Sequence, residues 1–350
     1  MSSLPKIGIT CGDLNGIGME VVLKTLADPA IFDMCRPVLF TSSRSISYHR
    51  KACELGEIPY SIVSSAAETC PDKRVAVIEP WQEQPLFEFG KADSAIGTLA
   101  LMSLDAGIAA LKEGQIDALV TAPLNKNTIP VEGFTGHTGY IAQAFDAKPL
   151  MLLSGSTLRV ALATEHVALK DVSAHLTAEK LQAKIELLTA ALVQDYAIQN
   201  PRIAVLAMNP HASDNGAFGQ EEQEWILPAV EALQANGKIV YGPYAADGFF
   251  GAGTYKSFDA VMALYHDQGL IPFKMAHFED GVNVTCGLPV VRTSPDHGVA
   301  YDVAGKNCAD PSSFRAALFE ALDIIRRRAA HAEATLRPLE IKVKPKKDRD

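Results

Sequence analysis

The sequence predicts an α/β protein built on a mostly parallel β-sheet. Short, continuous apolar runs alternate along the chain with longer amphipathic stretches, as is typical of strands that helices cover on both faces. Strands that alternate with helices usually pair in parallel, because each helix carries the chain back to the same end of the sheet. The chain has 350 residues, of which 48% are hydrophobic; this composition excludes general disorder, and this length predicts about two domains.

The individual elements follow from the same alternation. Eight apolar runs are predicted as strands, at residues 6–10, 38–40, 75–78, 118–121, 150–153, 160–163, 203–207 and 261–264. Five amphipathic stretches are predicted as helices, at residues 17–26, 94–113, 177–195, 220–235 and 311–328. Thr177 with Glu179 is typical of a helix start, since a hydroxyl caps the first turn and a carboxylate favours its positive end.

Charge and targeting signals exclude several classes of protein. Lys and Arg number 32 against 41 Asp and Glu, and the resulting net charge of −9 disfavours nucleic acid or an anionic membrane as a partner. No apolar run approaches the roughly 18 residues of a membrane span, and the N-terminus lacks the pattern of a signal peptide. The six cysteines include no C-x-x-C pair. We expect a cytoplasmic protein with reduced thiols and a solvated basic tail over residues 331–350.

Three histidines each follow the end of a predicted strand. They are His166 after VALATE, His211 after IAVLAMNP and His266 after AVMALY. Because the carboxyl ends of parallel strands share one edge of a sheet, the three imidazoles are expected to converge. Three neutral nitrogens with an open fourth position suit a catalytic Zn²⁺ or another divalent metal, although each histidine could equally do no more than end its strand.

Several segments could bind an anion. The glycine turn around His137 and Thr138 offers an imidazole, a hydroxyl and backbone donors. Lys274, Asn283 and Arg292 follow, and Lys and Arg are the usual partners of phosphate, although each of the three alone is typical of an exposed surface. The turn at residues 12–18 and the loop at residues 296–306 are glycine-containing; either ligand contact or a tight connection would explain them.

Together these segments resemble the 4-hydroxythreonine-4-phosphate dehydrogenases of vitamin B6 biosynthesis. The resemblance runs from about residue 6 to about residue 328, and its most specific motifs are NPHASDNGAFGQEE and YHDQGLIPFK. The loop HGVAYDVAG is also similar to the loop of the isocitrate and isopropylmalate dehydrogenases that holds the adenosine half of the nicotinamide cofactor.

The resemblance implies a fold and an assembly. The fold would have two αβα domains of the isocitrate/isopropylmalate dehydrogenase-like type, with the active site in the cleft between them. The cofactor-side domain would comprise residues 1–125 and about 297–330, and the substrate, metal and dimerisation domain about 126–296. The enzyme would be a homodimer in which the partner subunit helps to complete each active site.

The resemblance also implies the roles of single residues. His166, His211 and His266 match the metal ligands, and His297, Gly298 and Asp302 lie in the cofactor loop. The residues that match substrate contacts are His137, Thr138, Lys274, Asn283 and Arg292. Asp247 and Asp267 are candidates for handling a proton or for orienting a neighbouring group.

The implied reaction is a metal-assisted oxidation by NAD or NADP. The metal (Zn²⁺ first, Co²⁺ or Mg²⁺ otherwise) stabilises the substrate alkoxide, and hydride passes to the nicotinamide. The product of 4-phosphohydroxy-L-threonine would be a β-keto acid that loses CO₂. Gly139 departs from the glutamate usual in the family, which leaves open a dehydrogenase of threonate or erythronate 4-phosphate. A metal-dependent phosphatase or hydrolase is the alternative from another class.

Overall fold

The protein folds around one twelve-stranded β-sheet that helices cover on both faces, as seen in a computed structural model that describes residues 4–68, 70–83 and 86–336. The order of the strands across the sheet is β3-β4-β2-β1-β5-β12-β11-β6-β7-β10-β8-β9. The predicted α/β class is therefore confirmed.

The bounds of the strands and α-helices are as follows. The strands are β1 (Lys6–Thr10), β2 (Arg36–Phe40), β3 (Tyr60–Ile62), β4 (Val75–Ile78), β5 (Ala118–Thr121), β6 (Leu150–Ser154), β7 (Arg159–Leu162), β8 (Ile203–Leu206), β9 (Val240–Tyr244), β10 (Ala260–Ala263), β11 (Val282–Cys286) and β12 (Val291–Pro295). The helices are α1 (Gly18–Leu26), α2 (Ile31–Met34), α3 (Ser43–Ala52), α4 (Ser94–Lys112), α5 (His137–Ala144), α6 (Val172–His175), α7 (Ala178–Gln194), α8 (Leu227–Ala235), α9 (Ala246–Gly251), α10 (His266–His277) and α11 (Ser312–Leu336).

Most of the sheet is parallel, and the exceptions lie at its centre. The antiparallel ladders join β11 to β12, β11 to β6, and β6 to β7, whereas the other ladders between the described strands are parallel. The strands on the two sides therefore run in opposite directions, and β7, β10 and β8 form a parallel block of their own. The sheet continues across the predicted domain boundary after residue 125, because β5 pairs with β12.

All eight predicted strands are present, with ends within two residues of the expected ones, but four strands are additional. The additional strands are β3, β9, β11 and β12. The prediction for residues 220–235 is also modified, because a π-helical turn, Glu222–Ile226, precedes α8. Helix α11 continues to Leu336, so residues 331–336 belong to a helix rather than to the expected tail. The rest of that tail, residues 337–350, lies outside the described residues.

The two faces of the sheet are packed differently. One apolar cluster extends along a whole face, where alternate residues of the strands meet helices that include α1, α7 and α11. The opposite face carries two separate clusters, one against α4 and α5 and another that includes Phe249 of α9 and Phe273 of α10. On β12, Val291 belongs to the continuous cluster and Arg292 points to the other face. The strands β11 and β12 thus present polar side chains between two apolar cores.

Helix α4 is the one described helix that is long and apolar enough to cross a membrane by length and composition, which differs from the expectation that no run approaches that length. Of its apolar window, 56% is buried inside the protein. Ser103 in its middle donates a hydrogen bond to the Phe40 carbonyl at 2.6 Å and accepts one from the Cys11 amide at 3.0 Å. These contacts are those of a core helix against β1 and β2.

Local signals in the sequence explain several helix ends. The Thr177 hydroxyl accepts a hydrogen bond from the Lys180 amide and caps α7, as predicted. The Asp93 carboxylate caps α4 in the same way, through the Ala95 amide. All six cysteines are free, which agrees with the expected thiols.

Candidate functional site

A cavity of about 510 Å³ lies over the polar strip of β11 and β12. Its floor includes Asn283 of β11 with Arg292 and Ser294 of β12, and its walls come from the segments that follow β5, β7 and β10. The cavity contains seven of the residues proposed from the sequence for the metal and the substrate: His137, Thr138, His166, His266, Lys274, Asn283 and Arg292. It lies where the two apolar cores of one face separate, in agreement with a cleft between two halves of the molecule.

Arg292 is the central cation of the floor. Its side chain is 2% exposed, so the expectation of an exposed surface residue, which its sequence context favoured, is wrong. The guanidinium donates hydrogen bonds to the Thr121 hydroxyl at 2.6 Å and the Thr285 hydroxyl at 3.0 Å. Burial lowers its pKa to about 9, and the nearby Glu165 carboxylate opposes this shift. Neither its Nε nor Oδ1 of Asn283 has a hydrogen-bond partner among the described residues, so the floor retains two buried polar atoms with unused hydrogen-bonding capacity.

The start of α5 forms a second wall. Gly136 precedes it with φ of 121°, a conformation that favours glycine, and a Cβ there would lie 2.9 Å from Cε of Lys126. His137 is the first helical residue, and its buried Nε2 has no hydrogen-bond partner in the part of the chain that the structure describes. Burial, Arg292 and Lys126 all hold the pKa of His137 well below its usual value, so this imidazole is neutral near pH 7. Thr138 is buried beside it, as a further hydroxyl donor.

His166 and His266 meet at the edge of the parallel block. Their ring centroids are 6.0 Å apart, so the convergence predicted from the strand ends is observed for this pair. Nδ1 of His266 lies 2.7 Å from Oδ1 of Asp267, which leaves Nε2 free for another partner. Nε2 of His166 lies 3.2 Å from Nζ of Lys126. Asp267 thus contacts the imidazole of His266; the sequence suggested it for handling a proton or for orienting a neighbouring group.

His211 lies apart from this pair. It follows β8 in a turn in which residues 211–215 all have positive φ, between 46° and 66°. The ring is exposed and lies 6.1 Å from the ring of Phe218, outside the lining of the cavity. Within the described part of a single chain, no three His, Cys, Asp or Glu residues form a group that could hold a metal ion. The left-handed turn carries His211 away from the point at which its strand ends.

Two carboxylates line the cavity, and sequence reasoning assigned a role to neither. Asp296 has a partner, since its Oδ2 lies 3.7 Å from Nζ of Lys274. Glu165 is half-buried next to His166. Burial raises its pKa, and Lys184, Lys126, His266 and Arg292 counteract this effect. The signal was present in the motif ATEH, where the acid directly precedes a strand-end histidine.

The predicted cofactor loop closes one side of the cavity. His297 and Gly298 line it, whereas Asp302 does not and is exposed. Nε2 of His297 is buried without a partner, and burial lowers the pKa of this ring. The backbone of the loop packs on the glycine turn at residues 12–18, where the Val299 carbonyl accepts a hydrogen bond from the Ile17 amide at 3.0 Å. That turn is buried, so its glycines serve close packing rather than an open anion site.

Asp247 is far from this chemistry in the single chain. It is an exposed residue in the first turn of α9, after the edge strand β9, and it does not line the cavity. Its predicted role in proton handling therefore has no support from the contacts within one chain.

The fold is that of an α/β protein, and its cavity brings cations, imidazoles and hydroxyls together at one polar site. A sequence profile of the family described as "Pyridoxal phosphate biosynthetic protein PdxA" matches residues 33–321. A relative from Bacteroides thetaiotaomicron, named 4-hydroxythreonine-4-phosphate dehydrogenase, is 46% identical over 347 residues, which cover 98% of this chain and 95% of the relative. The chain belongs to this family of pyridoxal phosphate biosynthetic proteins, and the predicted resemblance is confirmed.

Two further comparisons support this assignment. The crystal structure of 4-hydroxythreonine-4-phosphate dehydrogenase from Klebsiella pneumoniae is similar with a TM-score of 0.78 and 32% identity, covering 92% of this chain and 99% of that one. A relative from Cupriavidus necator, named D-threonate 4-phosphate dehydrogenase, is 39% identical and covers 93% of this chain and 99% of its own length. The family therefore includes relatives named for two different phosphorylated substrates.

Proposed function

We propose that the protein oxidises the carbon-3 hydroxyl of 4-phosphohydroxy-L-threonine with NAD or NADP. The product, 2-amino-3-oxo-4-phosphooxybutanoate, then decarboxylates to 3-amino-2-oxopropyl phosphate on the route to pyridoxal 5′-phosphate. The observation that carries this proposal is the lining of the cavity, where Arg292, His137 and Asn283 each keep a buried polar atom without a partner among the described residues. A phosphorylated amino acid supplies both the acceptors and the donors that these atoms need.

The anionic groups of the substrate would bind where donors are concentrated. Arg292 and Lys274 supply positive charge, and Thr138 adds a hydroxyl at the start of α5. Local cations are required because the chain as a whole carries a net charge of −9. We propose His137 and Asn283 as further contacts, through the ring Nε2 and the amide oxygen that lack partners within the chain.

The metal is proposed to bind between His166 and His266. The donor set fits a divalent ion in part, because one chain brings together two imidazoles and Asp267 orients one of them. Since His211 is exposed and outside the cavity, we propose that His211 of the partner subunit completes the set. A divalent metal held there would supply Lewis-acid stabilisation of the substrate alkoxide, and three imidazoles favour Zn²⁺ or Co²⁺ over Mg²⁺.

An apolar stripe supports the proposed homodimer. Ile271, Met275 and Phe278 are 60%, 85% and 77% exposed; the first two lie one turn apart on α10, and Phe278 is its C-cap residue. This helix begins at His266, so a second copy that covers the stripe would lie next to the cavity. The stripe and the isolated His211 have the same explanation, namely an active site completed between two subunits.

The nicotinamide cofactor is proposed to bind beside the loop that includes His297 and Gly298. His297 keeps a buried Nε2 available for a ligand, and Gly298 has open space around the position of a Cβ. Asp302, exposed further along the loop, is available to ribose hydroxyls. The cofactor supplies a hydride acceptor, and the chain supplies the position of the carbinol carbon relative to it. We propose a cytoplasmic location, in agreement with six free cysteines.

The experiment that tests the function compares two substrates and two readouts. Reduction of NAD or NADP is followed by ultraviolet absorbance with 4-phosphohydroxy-L-threonine and, in parallel, with threonate 4-phosphate. We expect kcat/KM to be at least about tenfold higher for the amino compound. A preference for threonate 4-phosphate would assign the protein to the sugar-acid branch instead. Release of inorganic phosphate without nicotinamide reduction would favour the hydrolase alternative.

A further inference from the structure

A second cavity of about 510 Å³ lies beside the first, between α7 and the segments that precede β6 and follow β7. Pro149 lines both cavities, but every other residue in the lining of the second is absent from the lining of the first. The volume is within the range of roughly 300–1,000 Å³ that is typical of small-molecule sites. The second cavity is therefore a separate candidate site, to which the proposed reaction gives no role.

The walls of the second cavity are apolar and made of short or branched side chains. They include Ala163 and Val167 after β7, and Ala183 and Leu187 one turn apart on α7. Ala163 is buried at the end of its strand, and Leu176, before α7, is buried as well. Small-molecule sites are lined in the same way, by apolar side chains with a few polar groups among them. The apolar part of a ligand would therefore be removed from water here.

The charged side chains of this second cavity are all cationic. Lys148 and Lys180 are exposed, Lys184 is half-buried, and no carboxylate is found among the described residues of the lining. Nζ of Lys180 donates a hydrogen bond to the His175 carbonyl at 2.9 Å, and Nζ of Lys184 donates one to the Pro149 carbonyl at 3.0 Å. Both acceptors are neutral, so each ammonium group keeps its charge and two further N–H donors for another partner.

The positions of Lys180 and Lys184 favour a bound anion. The two residues lie four apart on α7, where like charges destabilise a helix, and Lys180 is in the first turn, where a cation opposes the helix dipole. Burial lowers the pKa of Lys184, and the carboxylate of Glu165, which lines the first cavity, opposes this change. In a chain with a net charge of −9, a lining whose charges are all positive indicates a site for an anion.

We propose that the second cavity binds a molecule made of one aromatic ring and a phosphate, with the phosphate at Lys180 and Lys184 and the ring between Val167 and Leu187. A phosphate carries about −1.5 to −2 charges at pH 7 and three acceptor oxygens, which match two ammonium groups better than a carboxylate does. A flat ring fits between short side chains and buries its apolar surface there. This inference goes beyond the proposed oxidation and does not rest on it, because the two cavities share only Pro149.

The test is a calorimetric titration of the full-length protein with pyridoxine 5′-phosphate, in the absence of substrate and nicotinamide. This probe carries one aromatic ring and one phosphate, and it has no aldehyde that could form an imine with lysine. Inorganic phosphate and pyridoxine each keep only one of the two parts, and we expect both to bind at least about tenfold more weakly. An equal Kd for inorganic phosphate would indicate an adventitious ion only, and an equal Kd for pyridoxine would exclude the phosphate contact; either result would overturn the proposal.

A pair of charge reversals tests the phosphate contact. Lys180→Glu should raise the Kd of pyridoxine 5′-phosphate by roughly 10- to 100-fold. The variant should fold, because Thr177 caps α7 and a glutamate three residues after such a cap favours the helix start. Lys51→Glu makes the same change of charge on the distant helix α3, at an exposed residue, and should change the Kd by less than about threefold. Equal losses in both variants would show that the probe responds only to net charge and would overturn the proposal.

Two further variants locate the probe. Ala183→Phe fills the second cavity without a change of charge and should raise the Kd at least about tenfold. Arg292→Ala removes the central cation of the first cavity and should leave the Kd within about threefold. Circular dichroism of each variant shows whether it is folded. Loss of binding in Arg292→Ala with full binding in Lys180→Glu would place the probe in the first cavity. That result, or unchanged affinity in a folded Ala183→Phe, would overturn the proposal.

Discussion

The hydroxyl of Tyr301 donates a hydrogen bond of 2.6 Å to Oδ2 of Asp13, which joins the loop at residues 296–306 to the first glycine turn of the chain. Asn125 completes the link, since its Nδ2 donates to the same hydroxyl at 3.1 Å. Asp13 is fully buried, and burial raises its pKa while the hydrogen bond from Tyr301 opposes that change. Three distant parts of the sequence are thereby joined at one point.

Removal of this hydroxyl is expected to destabilise the protein. Tyr301→Phe leaves the buried Asp13 without its donor, which should lower the free energy of unfolding by about 1–3 kcal/mol. The measurement is denaturant unfolding at pH 7. Tyr48→Phe is the matched control, because the Tyr48 ring is 39% exposed and its hydroxyl has no hydrogen bond to the described residues. An equal decrease in the free energy of unfolding in both variants would show that the Tyr301–Asp13 hydrogen bond does not stabilise the fold.

Arg292→Ala is expected to weaken catalysis selectively for phosphorylated substrate. A hydrogen bond to a charged group contributes about 1.5–3 kcal/mol, which corresponds to a loss in kcat/KM of roughly 10- to 150-fold. The loss should be much smaller for the dephosphorylated compound, which never makes the contact. Because Arg292 also bridges Thr121 and Thr285, unfolding curves must accompany the kinetics. Equal losses for both compounds would mean that Arg292 holds the carboxylate or the fold.

Heterodimers provide a direct test of the metal site that we propose between two subunits. His166→Ala and His211→Ala homodimers should each lose bound metal and activity. Mixed dimers of the two variants should recover one intact site, because one subunit then supplies His166 and His266 while its partner supplies His211. We expect about half of wild-type metal content and activity per mixed dimer. No recovery in purified mixed dimers would show that all three histidines act within one chain.

The neutral His137 predicts a pH dependence of stability. The folded protein keeps the pKa of His137 well below 6.5, whereas the unfolded chain titrates near 6.5. As the pH falls below about 6.5, the unfolded state binds a proton that the folded state does not, so stability is complete above that pH and is lost below it. Below that pH, the proton uptake of His137 in the unfolded state lowers the free energy of unfolding by about 1.4 kcal/mol per pH unit.

The pH test compares wild type with His137→Gln. Urea unfolding at pH 7.5 and 5.5 should give a smaller decrease of stability in the variant, since the other histidines titrate equally in both proteins. An identical decrease would show that His137 takes up its proton in the folded state as well.

The sequence predicted the parallel, apolar strands well and the polar ones poorly. Strands such as β5 and β8 are buried on both faces and read as continuous apolar runs. β11 and β12 read VNVTC and VRTSP, because one of their faces forms the floor of the cavity. The polar residues that make these two strands hard to recognise in the sequence are the residues that form the floor of the cavity. For the same reason, the sequence around Arg292 is typical of an exposed surface, whereas its side chain is buried in the folded protein.

The histidines illustrate both the strength and the limit of the argument from strand ends. β7 and β10 are neighbours in a parallel block, so His166 and His266 meet as expected. His211 follows the next strand of the same block, but the left-handed turn at residues 211–215 changes its direction. Such a run of positive φ at non-glycine residues is costly and has no simple signal in the sequence. The contribution that we propose for a second subunit has equally no signal in the pattern of one chain.

The position of β12 has a consequence for how the chain reaches its native state during synthesis. β12 lies between β5 and β11, although β5 leaves the ribosome long before residues 291–295 do. Until then β5 exposes an unpaired edge, and the N-terminal half of the sheet lacks both its sixth strand and the cover of α11. The nascent chain therefore carries an open edge, of the kind that favours aggregation, while residues 122–290 are synthesised, and the last strand to emerge is the one that closes it.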